Sequence, residues 1–314
     1  MSDIQLNRKE FYKRFHGINL PIDHPNYSHV SMLRDWRIDH DYPWTKCHKE
    51  KTPIKGMIFS GCSFTWGQGL YYYSNLDSLR EPPPDCFDSL LVNPSHIKFM
   101  ETVRYPRLVA KHFNTFEQVA PFNGGSNESA IEYCMQKLFL DPDNYYKPAD
   151  FSDYSHCVFQ MTQWQRKHIF INYKGQQLDI HNNIHKSSDI LTDYLLENNI
   201  TIEDWEEYGI QLNVHDVKTH LQFLESKGIK TYLLTWPDYY VKYIEKDSWL
   251  KERHIVFDVL GYSYNSLESL MNAVRTMTIK YDFQEFNNTP KDHHPSLRCH
   301  RLIADTLIKR IENE

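Results

Sequence analysis

The sequence predicts an α/β fold, a three-layer α/β/α sandwich in which helices cover both faces of a mainly parallel sheet. Two observations carry this. Short apolar runs of strand length recur at Gly56–Ser60, Gln118–Phe122, Cys157–Met161 and Lys230–Trp236, and a continuous apolar run suits a strand buried on both faces. Stretches with a helical period lie between them, and strands alternating with helices imply parallel pairing. Ligands of such sheets bind at the carboxyl ends of the strands, so the residues following each run are the ones to inspect.

Taken in order, residues 1–54 are polar and turn-rich, as in Leu20-Pro-Ile-Asp-His-Pro-Asn26 and Asp41-Tyr-Pro-Trp44, with no sustained period. They read as an arm that wraps the body or touches a partner. The body spans 55–314. Its first strand ends in Gly61, and helices are expected at Tyr105–Phe113, Asn127–Leu140 and about Glu203–Lys227. In the last of these, Val217, Leu221 and Leu224 repeat at i, i+4, i+7 and Gly228 supplies a stop. A closing helix over Pro295–Glu314 carries Ile303, Leu307 and Ile311 as one apolar stripe. Two insertions interrupt the rhythm. One, Tyr71–Val103, has Glu81-Pro-Pro-Pro84 in its middle. The other, Lys167–Asn199, contains an expected hairpin, His168–Tyr173 and Gln176–Ile180, turning at Lys174-Gly175. Long insertions at loop positions usually serve as lids or binding surfaces.

Composition narrows the function classes. Over 314 residues, 35 Lys and Arg stand against 41 Asp and Glu, a net charge of −6, which argues against a nucleic-acid partner because phosphate binding needs a basic surface. The 40% hydrophobic content excludes a disordered chain. No stretch approaches the roughly 20 apolar residues of a membrane helix, and Met1–Gly17 lacks the apolar core of a signal peptide. The expectation is a soluble protein made in the cytoplasm, with no membrane partner. The six cysteines form no C-x-x-C pair, so buried free thiols are expected. The aromatic share of 14% falls in good part within the arm and the two insertions.

Three segments carry chemistry. Gly61-Cys-Ser-Phe-Thr-Trp-Gly67 follows the first strand, so Ser63 is presented at the sheet's carboxyl edge. It is a nucleophile or part of an ordinary turn; neither phosphate-loop pattern is present. Asn123-Gly-Gly-Ser-Asn127 follows the second strand and opens a helix, where glycines free backbone N–H groups to face an anion; Ser126 as a helix cap is the plainer reading. Asp292-His-His-Pro295 precedes the closing helix and offers a base with a carboxylate to orient it, which a catalytic serine needs. His293, His294 and His300 lack further paired ligands, so no metal and no cofactor are expected.

Together these segments resemble the SGNH (GDSL-type) hydrolase superfamily. Its G-D-S-x-T-x-G block is matched at Gly61, Ser63, Thr65 and Gly67, its N-x-G block at Asn123 and Gly125, and its D-x-x-H block at Asp292 with His294-Pro295. The resemblance runs from Lys55 to the C-terminus and implies a flavodoxin-like sheet. Cys62 replaces the first block's aspartate, and the histidine comes two residues after Asp292 instead of three; the following proline favours His294 over His293. The third block's asparagine is missing from Met161-Thr-Gln-Trp-Gln-Arg166.

By this resemblance Ser63 attacks an acyl carbonyl, His294 takes its proton and Asp292 orients the imidazole. The oxyanion hole comprises the Ser63 and Gly125 amides, with Asn127 or Gln163 as side-chain donor. Trp66 lines or underlies the pocket, Arg166 suits an anionic substrate, and Trp236 and Asp238 lie at the active edge, Asp238 as a binding residue or a turn former. The implied activity is a serine esterase removing an O-acyl group, acetyl above all, from a carbohydrate. The alternatives are an O-acyltransferase on the same site, or a non-catalytic carbohydrate-binding or virion structural protein on the same scaffold. The arm and the lack of a signal would suit a phage or virion-associated protein, with virion or homo-oligomeric contacts through the arm.

Overall fold

The computed structural model describes residues 55–67, 70, 102–115, 117–121, 125–139, 151–181, 189–259, 261–273, 294–295 and 297–314. The expected arm, nearly all of the first insertion, Asn123, Asp292 and His293 lie outside them, as does the side chain of Trp66.

The chain enters at strand β1 (Gly56–Gly61), turns through one helical turn, α1 (Ser63–Trp66), and reaches helix α2 (Tyr105–His112) and strand β2 (Glu117–Pro121). Helix α3 (Asn127–Phe139) and strand β3 (Tyr154–Met161) follow. A hairpin of β4 (His168–Tyr173) and β5 (Gln176–His181) comes next, then helices α4 (Asp189–Glu197) and α5 (Ile202–Ser226) and strand β6 (Lys230–Thr235). Short helices α6 (Val241–Ile244) and α7 (Ser248–Arg253) lead to a small hairpin, β7 (Phe257–Val259) and β8 (Tyr262–Tyr264), and the chain closes with α8 (Leu297–Glu312).

Four strands form a parallel sheet in the order β2-β1-β3-β6. Strand order reverses at β1, so the crevice between the carboxyl ends of β1 and β3 is the topological switch point. Alternation along each strand feeds two cores. Met57, Phe59, Val158, Tyr232 and Leu234 pack with Tyr105 and Val109 of α2 and with Cys299, Ile303 and Leu307 of α8. On the other face, Ile58 and Cys157 meet Cys134 of α3 and Leu224 of α5. There too Phe159, Met161 and Leu233 meet Ala130, Val217 and Leu221. The expected three-layer α/β/α arrangement is therefore the observed one.

Local signals account for the element ends. Thr201 caps α5, its side chain accepting from the Asp204 N–H. The β4–β5 hairpin turns on Lys174 and Gly175, both with positive φ (49° and 76°), the pattern of a type I′ turn. The second insertion is not a detached lid. Ile169 and Ile171 of β4 and Leu191 and Leu195 of α4 are buried in the core on the α3/α5 face. Helix α4 adds to the expected hairpin, with Leu191 and Leu195 at i, i+4 on its buried face. The four cysteines among the described residues, Cys62, Cys134, Cys157 and Cys299, are free and buried. No helix among the described residues is long and apolar enough to cross a membrane.

Candidate functional site

Ser63 is the first residue of α1, directly beyond β1, and is 3% exposed. Gly67 ends the turn with φ 95°, a left-handed conformation that favours glycine, and its N–H reaches Ser63 O at 3.0 Å. As the opening N–H of a helix, the Ser63 amide has no intrahelical acceptor. The turn is locked from beneath by Gln160 of β3, a fully buried residue. Its Oε1 accepts from the Cys62 N–H, the Cys62 Sγ and the Thr65 hydroxyl, each at 3.2 Å, and its Nε2 donates to Met161 O at 2.5 Å. Thr65 also bonds the Tyr105 hydroxyl at 2.9 Å. A Cβ at Gly61 would overlap Thr65 Oγ1 and come within 2.9 Å of Gln160, so glycine there permits this close stacking.

His294 sits just before α8, half-buried, with Nε2 2.8 Å from Ser63 Oγ. Its ring meets the Phe64 ring edge-on at 5.2 Å. Phe64 in turn lies against Trp236 at 4.3 Å. Over the Trp236 ring stands the Arg166 guanidinium, 5.3 Å from its centroid, and Arg166 Nη1 donates to Gly125 O at 3.4 Å. The ends of β1, β2, β3 and β6, together with the segment before α8, thus bring Ser63, His294, Gly125, Arg166 and Trp236 into one connected patch. Behind His294, His300 is fully buried with Nδ1 accepting from the Tyr105 N–H at 3.2 Å. Burial, and then the positive charges of Arg104 and His294, push its imidazole down to about 3.

The remaining expected site residues divide. Asn127 is fully buried and its carboxamide is spent. Nδ2 donates to Asn213 Oδ1 (2.7 Å), Tyr240 OH (3.1 Å) and Thr162 O (3.3 Å), and Oδ1 accepts from the Thr162 N–H (2.7 Å). It ties α3 to β3 and α5 and has no N–H left for an oxyanion, so the expectation that it donates there is corrected. Gln163 is half-buried, and its carboxamide bonds no described residue. Asp238 is exposed; its carboxylate accepts from Ser266 Oγ while its N–H donates to Glu268 (3.1 Å), which is the turn-forming role. The Asp292 carboxylate and Asn123 lie outside the described residues.

Sequence reasoning missed Gln160 and Phe64. The signal for Gln160 was present: one amide inside the apolar run Cys157-Val-Phe-Gln-Met161. Among the described residues no group of three or more His, Cys, Asp or Glu side chains is disposed to hold a metal. At the opposite end of the sheet a cavity of about 470 Å³ is lined by Glu225, Lys230, Glu252, Arg253, Arg310 and Glu314 among others. Its charged walls pair among themselves, Arg253 with Glu225 at 2.6 Å and Arg310 with Glu314 at 2.9 Å.

No family model matches the chain, and no curated protein matches it. Among solved structures the chain is similar to an acetyl xylan esterase (Est2A) from the rumen bacterium Butyrivibrio proteoclasticus, at 12% identity and a TM-score of 0.42, over 84% of this chain and 65% of that one. A carbohydrate esterase family 2 enzyme with a carbohydrate-binding domain from Corynascus thermopiles (Myceliophthora fergusii) is 13% identical with a TM-score of 0.35, over 84% and 67%. A family two carbohydrate esterase from Clostridium thermocellum in complex with cellohexaose is 13% identical with a TM-score of 0.34, over 84% and 65%. The chain spans about two thirds of the length of these proteins.

Proposed function

We propose that the protein is a serine ester hydrolase that removes an O-acyl group, acetyl above all, from a carbohydrate. The observation that carries the reading is the 2.8 Å contact between Ser63 Oγ and His294 Nε2, within the range a nucleophile and its base require. With His294 neutral, the Ser63 hydroxyl donates to Nε2, gives up its proton there as Oγ bonds the acyl carbonyl carbon, and the imidazolium then protonates the departing alcohol. Asp292 is assigned the orienting role by its place two residues before the base. The Ser63 and Gly125 N–H groups are assigned to the developing oxyanion, with Gln163, unspent among described residues, as the side-chain donor in place of the missing asparagine. Water then releases the acyl group from Ser63. The carbohydrate half of the reading rests on the sequence resemblance and on the aromatic-rich additions to the fold.

The test is direct. The protein is expected to release p-nitrophenol from p-nitrophenyl acetate and to be labelled by a fluorophosphonate. Ser63→Ala is expected to abolish both, and His294→Gln to lower hydrolysis by several orders of magnitude. A folded wild-type protein with neither activity sinks the hydrolase reading and leaves the non-catalytic binding protein, which the spent Asn127 amide favours.

A further inference from the structure

Among the described residues, Arg166 differs from the arginines that pair with a carboxylate. Arg104 and Arg107 meet Glu117, Arg253 meets Glu225, Arg301 meets Asp305, and Arg310 meets Glu314. Lys167, the next residue along, is gripped by Glu128 and Asp216, the latter at 2.7 Å. Arg166 meets no carboxylate among the described residues. Its contacts are a single long bond to Gly125 O (3.4 Å) and the face of Trp236. One of its five N–H donors is thereby engaged, and the others meet no acceptor among the described residues. The side chain is half-buried, reachable by a ligand yet partly withdrawn from the water that would screen its charge. The carboxylates of Asp238 and Glu268, beyond the end of β6, accept from Ser266 Oγ and from the Asp238 N–H.

Position gives this charge its meaning. Arg166 follows β3 across the switch-point crevice from Ser63, and it bonds the glycine loop assigned to the oxyanion. Phe64 and Trp236 bridge it to His294. The indole face holds the guanidinium plane in place, so the fork is pre-positioned for an oxyanion. We infer that Arg166 is an anion subsite beside Ser63, so that the preferred ligand is an acidic sugar carrying a carboxylate or a phosphate next to the group that Ser63 meets. The word ester in this picture rests on the proposed hydrolase reading; the anion subsite itself does not.

Binding measurements keep the two apart. Full-length wild-type protein and Arg166→Gln are titrated calorimetrically with trigalacturonic acid and its methyl ester, and with glucose 6-phosphate and glucose. At least one acid is expected to bind tenfold or more tighter than its neutral partner, a gap on the order expected for hydrogen bonds to a charged group. Which pair shows it tells carboxylate from phosphate. Arg166→Gln should erase the gap, and Arg166→Lys, which keeps the charge without the fork, should narrow it. Equal binding within both pairs by the wild type overturns the inference, as does a gap that survives Arg166→Gln. Because the wild-type comparison needs no variant, a variant that fails to fold does not rescue the idea. A gap without fluorophosphonate labelling upholds the subsite and sinks the hydrolase; labelling without a gap does the reverse.

Discussion

At the scale of single residues, the serine turn depends on a group that does no chemistry. Gln160 accepts three hydrogen bonds from Cys62 and Thr65 on either side of Ser63. Replacing it with leucine leaves the Cys62 N–H buried without an acceptor, at about 1–3 kcal/mol. We expect Gln160→Leu to lower stability by that amount in urea denaturation and to lower kcat for p-nitrophenyl acetate more than it raises KM, since Ser63 is displaced while the pocket walls stay. Unchanged kcat would show that the turn holds itself. Ser63 and His294 were legible in the sequence because each sits in a short motif whose residues are neighbours in the chain. Gln160 was not, because its partners lie 98 and 95 residues away and an amide inside a strand run looks like a blemish in the pattern. Phe64 was hidden for the opposite reason: an apolar residue after a strand reads as core. Asn127 sat at a plausible place, but a chain position does not say whether a carboxamide is already spent.

Elements show the same division between local and distant causes. The β4–β5 hairpin was readable because Lys174-Gly175 encodes its own turn. The small β7–β8 hairpin was not, since three-residue strands are too short to display a period. Helix α5 was placed to within a residue by its apolar spacing, yet nothing in that spacing explains Gly209 in its interior. The structure does: a Cβ there would overlap the ring of Trp164, itself 1% exposed. Alanine would gain about 1 kcal/mol of helix propensity, but overpacking against a buried indole costs about 1–3 kcal/mol. Gly209→Ala is therefore expected to destabilise the protein by up to about 2 kcal/mol in equilibrium denaturation, and a stabilised variant would mean that Trp164 yields readily.

For the whole molecule, the buried imidazoles set a response to acid. His300 is held down to about 3 by burial first and by neighbouring positive charge after it, and burial also lowers His254 and His156. Between the ordinary imidazole value of about 6.5 and about 3, the unfolded chain binds a proton at His300 that the folded chain does not. Stability is thus fully present above that window and falls as the pH drops through it, by about 2 kcal/mol from His300 between pH 7.5 and pH 5. His300→Gln keeps an acceptor for the Tyr105 N–H without a titrating group. Its urea midpoint should shift less than the wild type's over the same interval, and equal shifts would remove His300 from the account. A last consequence lies in the 231 positions that separate Ser63 from His294 along the chain. Ser63 leaves the ribosome long before its partner, which comes just ahead of α8. The growing polypeptide therefore carries the serine turn before the imidazole that meets it, and the pair forms only once the segment bearing His294 docks against β1.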